Sequence, residues 1–110
     1  MRSRRVKATE NVTEQVLSIL HPGEAYFWAS YSGAELDLLF FHNGKRFGIE
    51  VKFSEAPNVT RSMQIALQDP GLEELWVIYP GEHSYPVHEQ ITVWPLRSIH
   101  DLAELLATPV

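Results

Sequence analysis

The hydrophobic pattern is most informative between Gly33 and Phe53, "GAELDLLFFHNGKRFGIEVKF". Two apolar runs are split there by Asn43-Gly44, a dipeptide that strongly favours a type I′ hairpin because both central positions of that turn need positive φ. With a two-residue loop, His42 faces Lys45. The ladder then runs through Phe41–Arg46, Phe40–Phe47, Leu39–Gly48 and Leu38–Ile49 to Asp37–Glu50, Leu36–Val51 and Glu35–Lys52. Side chains alternate along a strand, and opposite residues share a face. One face then carries Leu36, Leu38, Phe40, Phe47, Ile49, Val51 and Phe53, an apolar slab that belongs in a core. The other gathers Glu35, Asp37, Glu50 and Lys52 near the strand ends, and a slip of one residue would destroy both features.

Elsewhere the pattern is simpler. Val12, Val16, Ile19 and Leu20 recur at helical spacing over residues 9–20, with Thr9 as N-cap, Glu10 in the first turn and "HPGE" as the stop. "AYFWAS" reads as a first strand, "SEAPN" as a loop and "VTRSMQIALQ" as a second helix ended by Asp69-Pro70-Gly71. "ELWVIYP" has the length and apolarity of a buried central strand. "GEHSYPVHEQ" reads as a polar loop, "ITVWP" as a last strand and "SIHDLAELLA" as a closing helix. The order α-β-β-β-α-β-β-α predicts an α/β domain with a mixed central sheet flanked by helices. Trp28, Trp76 and Trp94 all fall in these strands, which places them in the core.

An acid directly opposite an acid, Asp37 across from Glu50 at a Cβ separation of ~5 Å, is unfavourable alone or raises one carboxylate pKa. A divalent cation between them reverses the sign, and hard oxygen ligands select Mg²⁺ or Mn²⁺. Lys52, two residues beyond Glu50, is placed to hold an anion or orient a water. These are the parts of metal-assisted phosphodiester hydrolysis. The same residues also fit an ordinary solvated sheet face, with Glu35 and Lys52 as a surface ion pair.

Length and composition bound the rest. The 110 residues suit one domain, with residues 1–8 a flexible basic tail and 9–110 the folded unit. There is no Cys, which removes disulfides, thiolate metal sites and thiol nucleophiles. No apolar segment follows the basic start and none approaches the ~20 residues of a membrane span, so a cytoplasmic protein without a membrane partner is expected. A net charge of −5 argues against coating nucleic acid by bulk electrostatics, and leaves room for a local patch or a metal ion.

An acid on one strand followed by Glu50-Val51-Lys52 on the next, in this element order, resembles the PD-(D/E)xK phosphodiesterase superfamily, although Leu36 replaces its proline. The resemblance implies a restriction-endonuclease-like core, α-β-β-β-α-β, extended by a C-terminal strand and helix. It also implies Asp37 and Glu50 as metal ligands and Lys52 as the catalytic cation. Glu14 from the first helix joins as a third ligand, with Glu10 in reserve. Arg61 and Gln64 on the second helix, together with Glu35, would face the substrate. The segments "EQVLSIL", "AYFWAS", "SGAELDLLF", "GIEVKFSEAP", "TRSMQIALQDPGL" and "VIYPG" are further similar to a domain of unknown function that usually ends prokaryotic AAA-type ATPases. No phosphate-binding Gly-rich loop occurs in these residues, so a stand-alone or excised domain without the ATPase part is expected. After Trp28 stands Ala29 where those relatives carry Arg. Two functions follow as expectations. One is a metal-dependent nuclease acting on nucleic acid, DNA in the first instance, and able to pair as a homodimer. The other is a catalytically silent nucleic-acid- or protein-binding module that serves an ATPase.

Overall fold

The computed structural model describes residues 8–21, 24–54 and 57–107. Its elements are α1 (Ala8–Leu20), β1 (Ala25–Ala29), β2 (Glu35–His42), β3 (Lys45–Val51), α2 (Arg61–Gln68), β4 (Glu74–Tyr79), β5 (Tyr85–His88), β6 (Ile91–Pro95), a 3₁₀ turn (Leu96–Ser98) and α3 (Ile99–Ala107). The strands form one sheet in the order β1-β2-β3-β4-β6-β5. β1, β2 and β3 are antiparallel neighbours, β3, β4 and β6 run parallel, and β5 returns antiparallel on β6. The mixed α/β sheet flanked by helices agrees with the pattern. Residues 1–7 of the expected basic tail lie outside the described residues. Ala8 already opens α1, so Thr9, expected as its N-cap, stands inside the helix, while the side chains of Thr9 and Glu10 lie outside the described residues.

The Asn43-Gly44 turn sets the hairpin. Both residues have positive φ, 53° and 76°, as a type I′ turn requires. The ladder that follows matches the expected register from His42↔Lys45 to Leu38↔Ile49 and ends there. Parallel β3 and β4 need a crossover, and α2 supplies it. Its start is fixed by Thr60, whose hydroxyl accepts the Met63 N–H at 3.1 Å.

Helices on both faces make two cores. On one face α1 and α3 bring Val12, Val16, Ile99 and Leu102 onto Leu38, Phe40, Ile49, Trp76 and Ile78. On the other, α2 packs Met63, Ala66 and Leu67 onto Leu36, Leu39, Leu75, Val77, Ile91 and Val93. Each fully buried Leu, Ile or Phe contributes roughly 1.5–3 kcal/mol. Burial on both sides is why β4 reads as an uninterrupted apolar run. Gly48 lies beneath the second core: a Cβ there would come within 2.8 Å of Leu72 and 3.1 Å of Leu36.

Four expectations are corrected. Leu36 belongs to the α2 core, not to the slab with Leu38 and Phe40. The cause is an irregularity in β2: Tyr26 pairs with Leu39 but Trp28 with Leu36, so the single residue Phe27 faces both Asp37 and Leu38. Such a β-bulge breaks the two-residue alternation and turns Leu36 over. Phe53, expected in the core, is 54% exposed because β3 ends at Val51. The stretch read as a polar loop contains β5, in which Pro86 is tolerated because the strand is the sheet's edge. Of the three Trp, only Trp76 is fully buried, whereas Trp28 and Trp94 are half-buried.

Candidate functional site

The bulge decides how the acids meet. Beyond Leu38↔Ile49 the ladder does not continue, so Asp37–Glu50, Leu36–Val51 and Glu35–Lys52 are not ladder partners. The Asp37 carboxylate instead turns into the sheet, and its Oδ2 accepts the Val51 N–H at 2.8 Å. That backbone donor, left without a strand carbonyl by the bulge, is satisfied by a side chain. The bond holds Asp37 against β3, near enough for its carboxylate to act on Glu50.

Glu50 points to the α2 side between Ile49 and Val51, and only 12% of its side chain is exposed. Lys52, 40% exposed, places Nζ 3.7 Å from Glu50 Oε2. Its backbone N–H donates to Ile78 O at 2.9 Å, extending the pairing with β4 and fixing where the side chain leaves the sheet. Burial, then the hydrogen bond and negative charge of Asp37, push the Glu50 carboxyl up to about 8, with Lys52 pulling the other way. The pair therefore holds a proton near neutral pH, which is how two close carboxylates relieve repulsion in the absence of a cation.

The other expected site residues are dispersed. Glu14 is exposed on α1, on the face of the sheet opposite Glu50. Among the described residues no group of three or more His, Asp or Glu side chains is close enough to share a metal ion. Glu14 thus does not join Asp37 and Glu50, and Glu10 lies outside the described side chains. Glu35 is exposed at the start of β2, and the ion pair of Lys52 is with Glu50 rather than with it. Arg61, exposed, opens α2. Because α2 crosses from β3 to the parallel β4, its first turn lies at the end of the sheet that carries Glu50 and Lys52. Gln64 and Gln68 line a groove of about 550 Å³ with Gly71, Leu72, His88 and Gln90, at the amino-terminal ends of β4 and β6. Gln64 is thereby directed away from the carboxylates.

The donor set fits a hard divalent ion in one respect. Mg²⁺ is commonly held by one or two protein carboxylates, with waters and phosphate completing its shell. Asp37 keeps one oxygen beyond its bond to Val51, and a cation in place of the shared proton would relieve the repulsion. The feature that sequence reasoning missed is the Val51 amide as the anchor of Asp37. The double apolar steps Leu38-Leu39 and Phe40-Phe41 were its only local sign.

Fold and site together describe a mixed α/β domain with a half-buried acid pair and an adjacent lysine at one sheet end. The chain belongs to the family described as a domain of unknown function (DUF4143), which matches residues 7–99. It is 38% identical over 88 residues to the uncharacterized proteins Rv2008c of Mycobacterium tuberculosis and Mb2031c of Mycobacterium bovis. The match covers 80% of this chain and 20% of theirs, so the chain spans about a fifth of the length of these curated relatives. The crystal structure of protein VC1899 from Vibrio cholerae aligns with 89% of this chain and 32% of its own, at 13% identity and a TM-score of 0.45. No described helix is long and apolar enough to cross a membrane.

Proposed function

We propose that the domain is a metal-dependent phosphodiesterase acting on nucleic acid, on a restriction-endonuclease-like variant of this sheet. The observation that supports it is the meeting of Asp37 and Glu50 in a half-buried setting with Lys52 at 3.7 Å. Asp37 and Glu50 would hold Mg²⁺ or Mn²⁺. The ion supplies charge neutralisation at phosphate and a bound water of lowered pKa. Lys52 orients the attacking water and stabilises charge as it grows on the phosphorus oxygens. Arg61, at the same end of the sheet, holds a neighbouring phosphate.

Incubation with plasmid, single-stranded and branched DNA and with RNA, in Mg²⁺ and in Mn²⁺, tests this reading. Cleavage by the wild-type chain should fall at least a hundredfold in Lys52→Ala and be lost in Asp37→Ala. Cleavage undiminished in Lys52→Ala would remove the role given to that side chain.

A second reading is favoured by two observations. Asp37 already has a protein partner in the Val51 N–H, and no third acid or histidine stands with the pair among the described residues. In that reading the domain is a silent module that binds nucleic acid or protein, accessory to an ATPase. Binding of nucleic acid without cleavage under every condition above would select it.

A further inference from the structure

A second cleft, of about 400 Å³, opens on the other face of the sheet, between β3, β4, β6 and the last turn of α3. Strand register builds its floor. Phe47 pairs with Glu74 and Trp76 with Thr92, so these four side chains share one face, and Trp94 follows two residues after Thr92 on the same strand. Phe47 and Trp76 stack at 5.3 Å and 24°. The half-buried Trp94 is held by its indole N–H, which donates to Ser98 O at 2.8 Å. Leu105 and Leu106 line the cleft from α3.

Glu74 lies within this aromatic lining. The Thr92 hydroxyl donates to its Oε2 at 3.0 Å, and among the described residues it has no ion-pair partner. Burial first, and then neighbouring Glu73, push its carboxyl above the usual range, while Thr92 and His88 work against the shift. The last turn of α3 holds no basic residue of its own, and its Leu106 carbonyl is bonded to the His42 ring at Nε2, 2.6 Å away, so the negative partial charge of this helix end is partly taken up by His42. Lys45 is the cation of the lining, and it is exposed at the mouth. The whole chain carries −5.

We propose that this cleft binds a small organic ammonium ion, its alkyl groups against the half-buried Trp94 and the narrow edges of Phe47 and Trp76 that reach the cleft floor, and its charge beside Glu74. The volume is within the range of small-molecule sites, and aromatic walls with a carboxylate are the chemistry that selects a weakly hydrated cation. A neutral apolar molecule would fill the walls without using Glu74. A hard metal ion would use Glu74 and Glu73 without using the walls. The site is separate from Asp37 and Glu50, and the proposal stands or falls independently of phosphodiester chemistry.

Titration of the full chain with choline, with its uncharged isostere 3,3-dimethylbutan-1-ol and with Mg²⁺, followed by tryptophan fluorescence, tests it. Choline should give a saturable change and bind about tenfold more tightly than the isostere. Glu74→Gln should weaken choline about tenfold and erase that preference, while Lys45→Gln should tighten it. Thermal melting checks that both variants remain folded, and Lys45→Gln is a surface change that reports on the same cleft if Glu74→Gln does not fold. Equal binding of choline and isostere, no saturable change with choline, competition by Mg²⁺ at equal concentration, or unaltered choline affinity in both variants would overturn the proposal.

Discussion

At its turn, the β2–β3 hairpin is a regular ladder of five residue pairs, from His42↔Lys45 to Leu38↔Ile49, with Phe40 and Phe47 stacked at 5.7 Å and covered by helices. At its open end the same two strands part, and a carboxylate takes the place of a strand carbonyl. Apolar cross-strand contact sets the geometry at the turn, and charge sets it at the open end. A change at the turn should act through packing and be indifferent to pH, whereas a change at the open end should act through protons.

The largest expected effect is at the turn end. Phe40→Ala removes a ring that is 1% exposed, and should cost about 3–5 kcal/mol in denaturant unfolding, by the same amount at pH 5 and pH 8. A cost that varied strongly with pH would blur the contrast between the two ends.

Next in size is the proton effect at Glu50. Folding raises its pKa from 4.5 to about 8, so between those values the folded chain holds a proton that the unfolded chain has lost. The stability this contributes is full below about 4.5 and disappears as pH rises through about 8. Without metal the part of this change that falls between pH 5 and pH 8 amounts to roughly 3–4 kcal/mol. Thermal melts of the metal-free wild type should weaken across that window, and Glu50→Gln should flatten the decline. A wild-type profile already flat from pH 5 to 8 would show that the acid pair is not coupled in solution.

The smallest effect separates the two duties of Asp37. Asp37→Asn keeps an acceptor for the Val51 N–H and removes the charge, so unfolding at pH 7 should change by under about 1 kcal/mol while the Glu50 step moves to lower pH. Asp37→Ala loses the acceptor as well and should cost about 1–2 kcal/mol. Identical behaviour of the two variants would mean that the bond to Val51 carries no weight.

Local chemistry made much of this legible. Asn43-Gly44 is a turn signal acting between neighbours, and it fixed five ladder pairs without any knowledge of the rest of the chain. The bulge was not legible because helices cover both faces of the sheet. Leu36, Leu38 and Leu39 are apolar whichever way they point, so alternation lost its power to report register. The proximity of Asp37 and Glu50 was anticipated, but the reason for it was not: a side-chain bond to the backbone replaces the expected direct opposition across the ladder. The remoteness of Glu14 and Gln64 depends on which face each helix covers, which hydrophobic spacing within a helix does not encode. The grouping of Phe47, Glu74, Trp76 and Thr92 rests on parallel pairing between segments far apart in the chain, and nothing local announces it.

The tether between Asp37 and the Val51 amide has a chemical consequence for anything that approaches. Burial already favours the neutral form of Glu50, and an acid anchored to the main chain cannot swing aside to relieve it further, so Glu50 meets neutral water still carrying its hydrogen. A cation settling there must evict that hydrogen, and its arrival would register in a weakly buffered solution as a fall in pH.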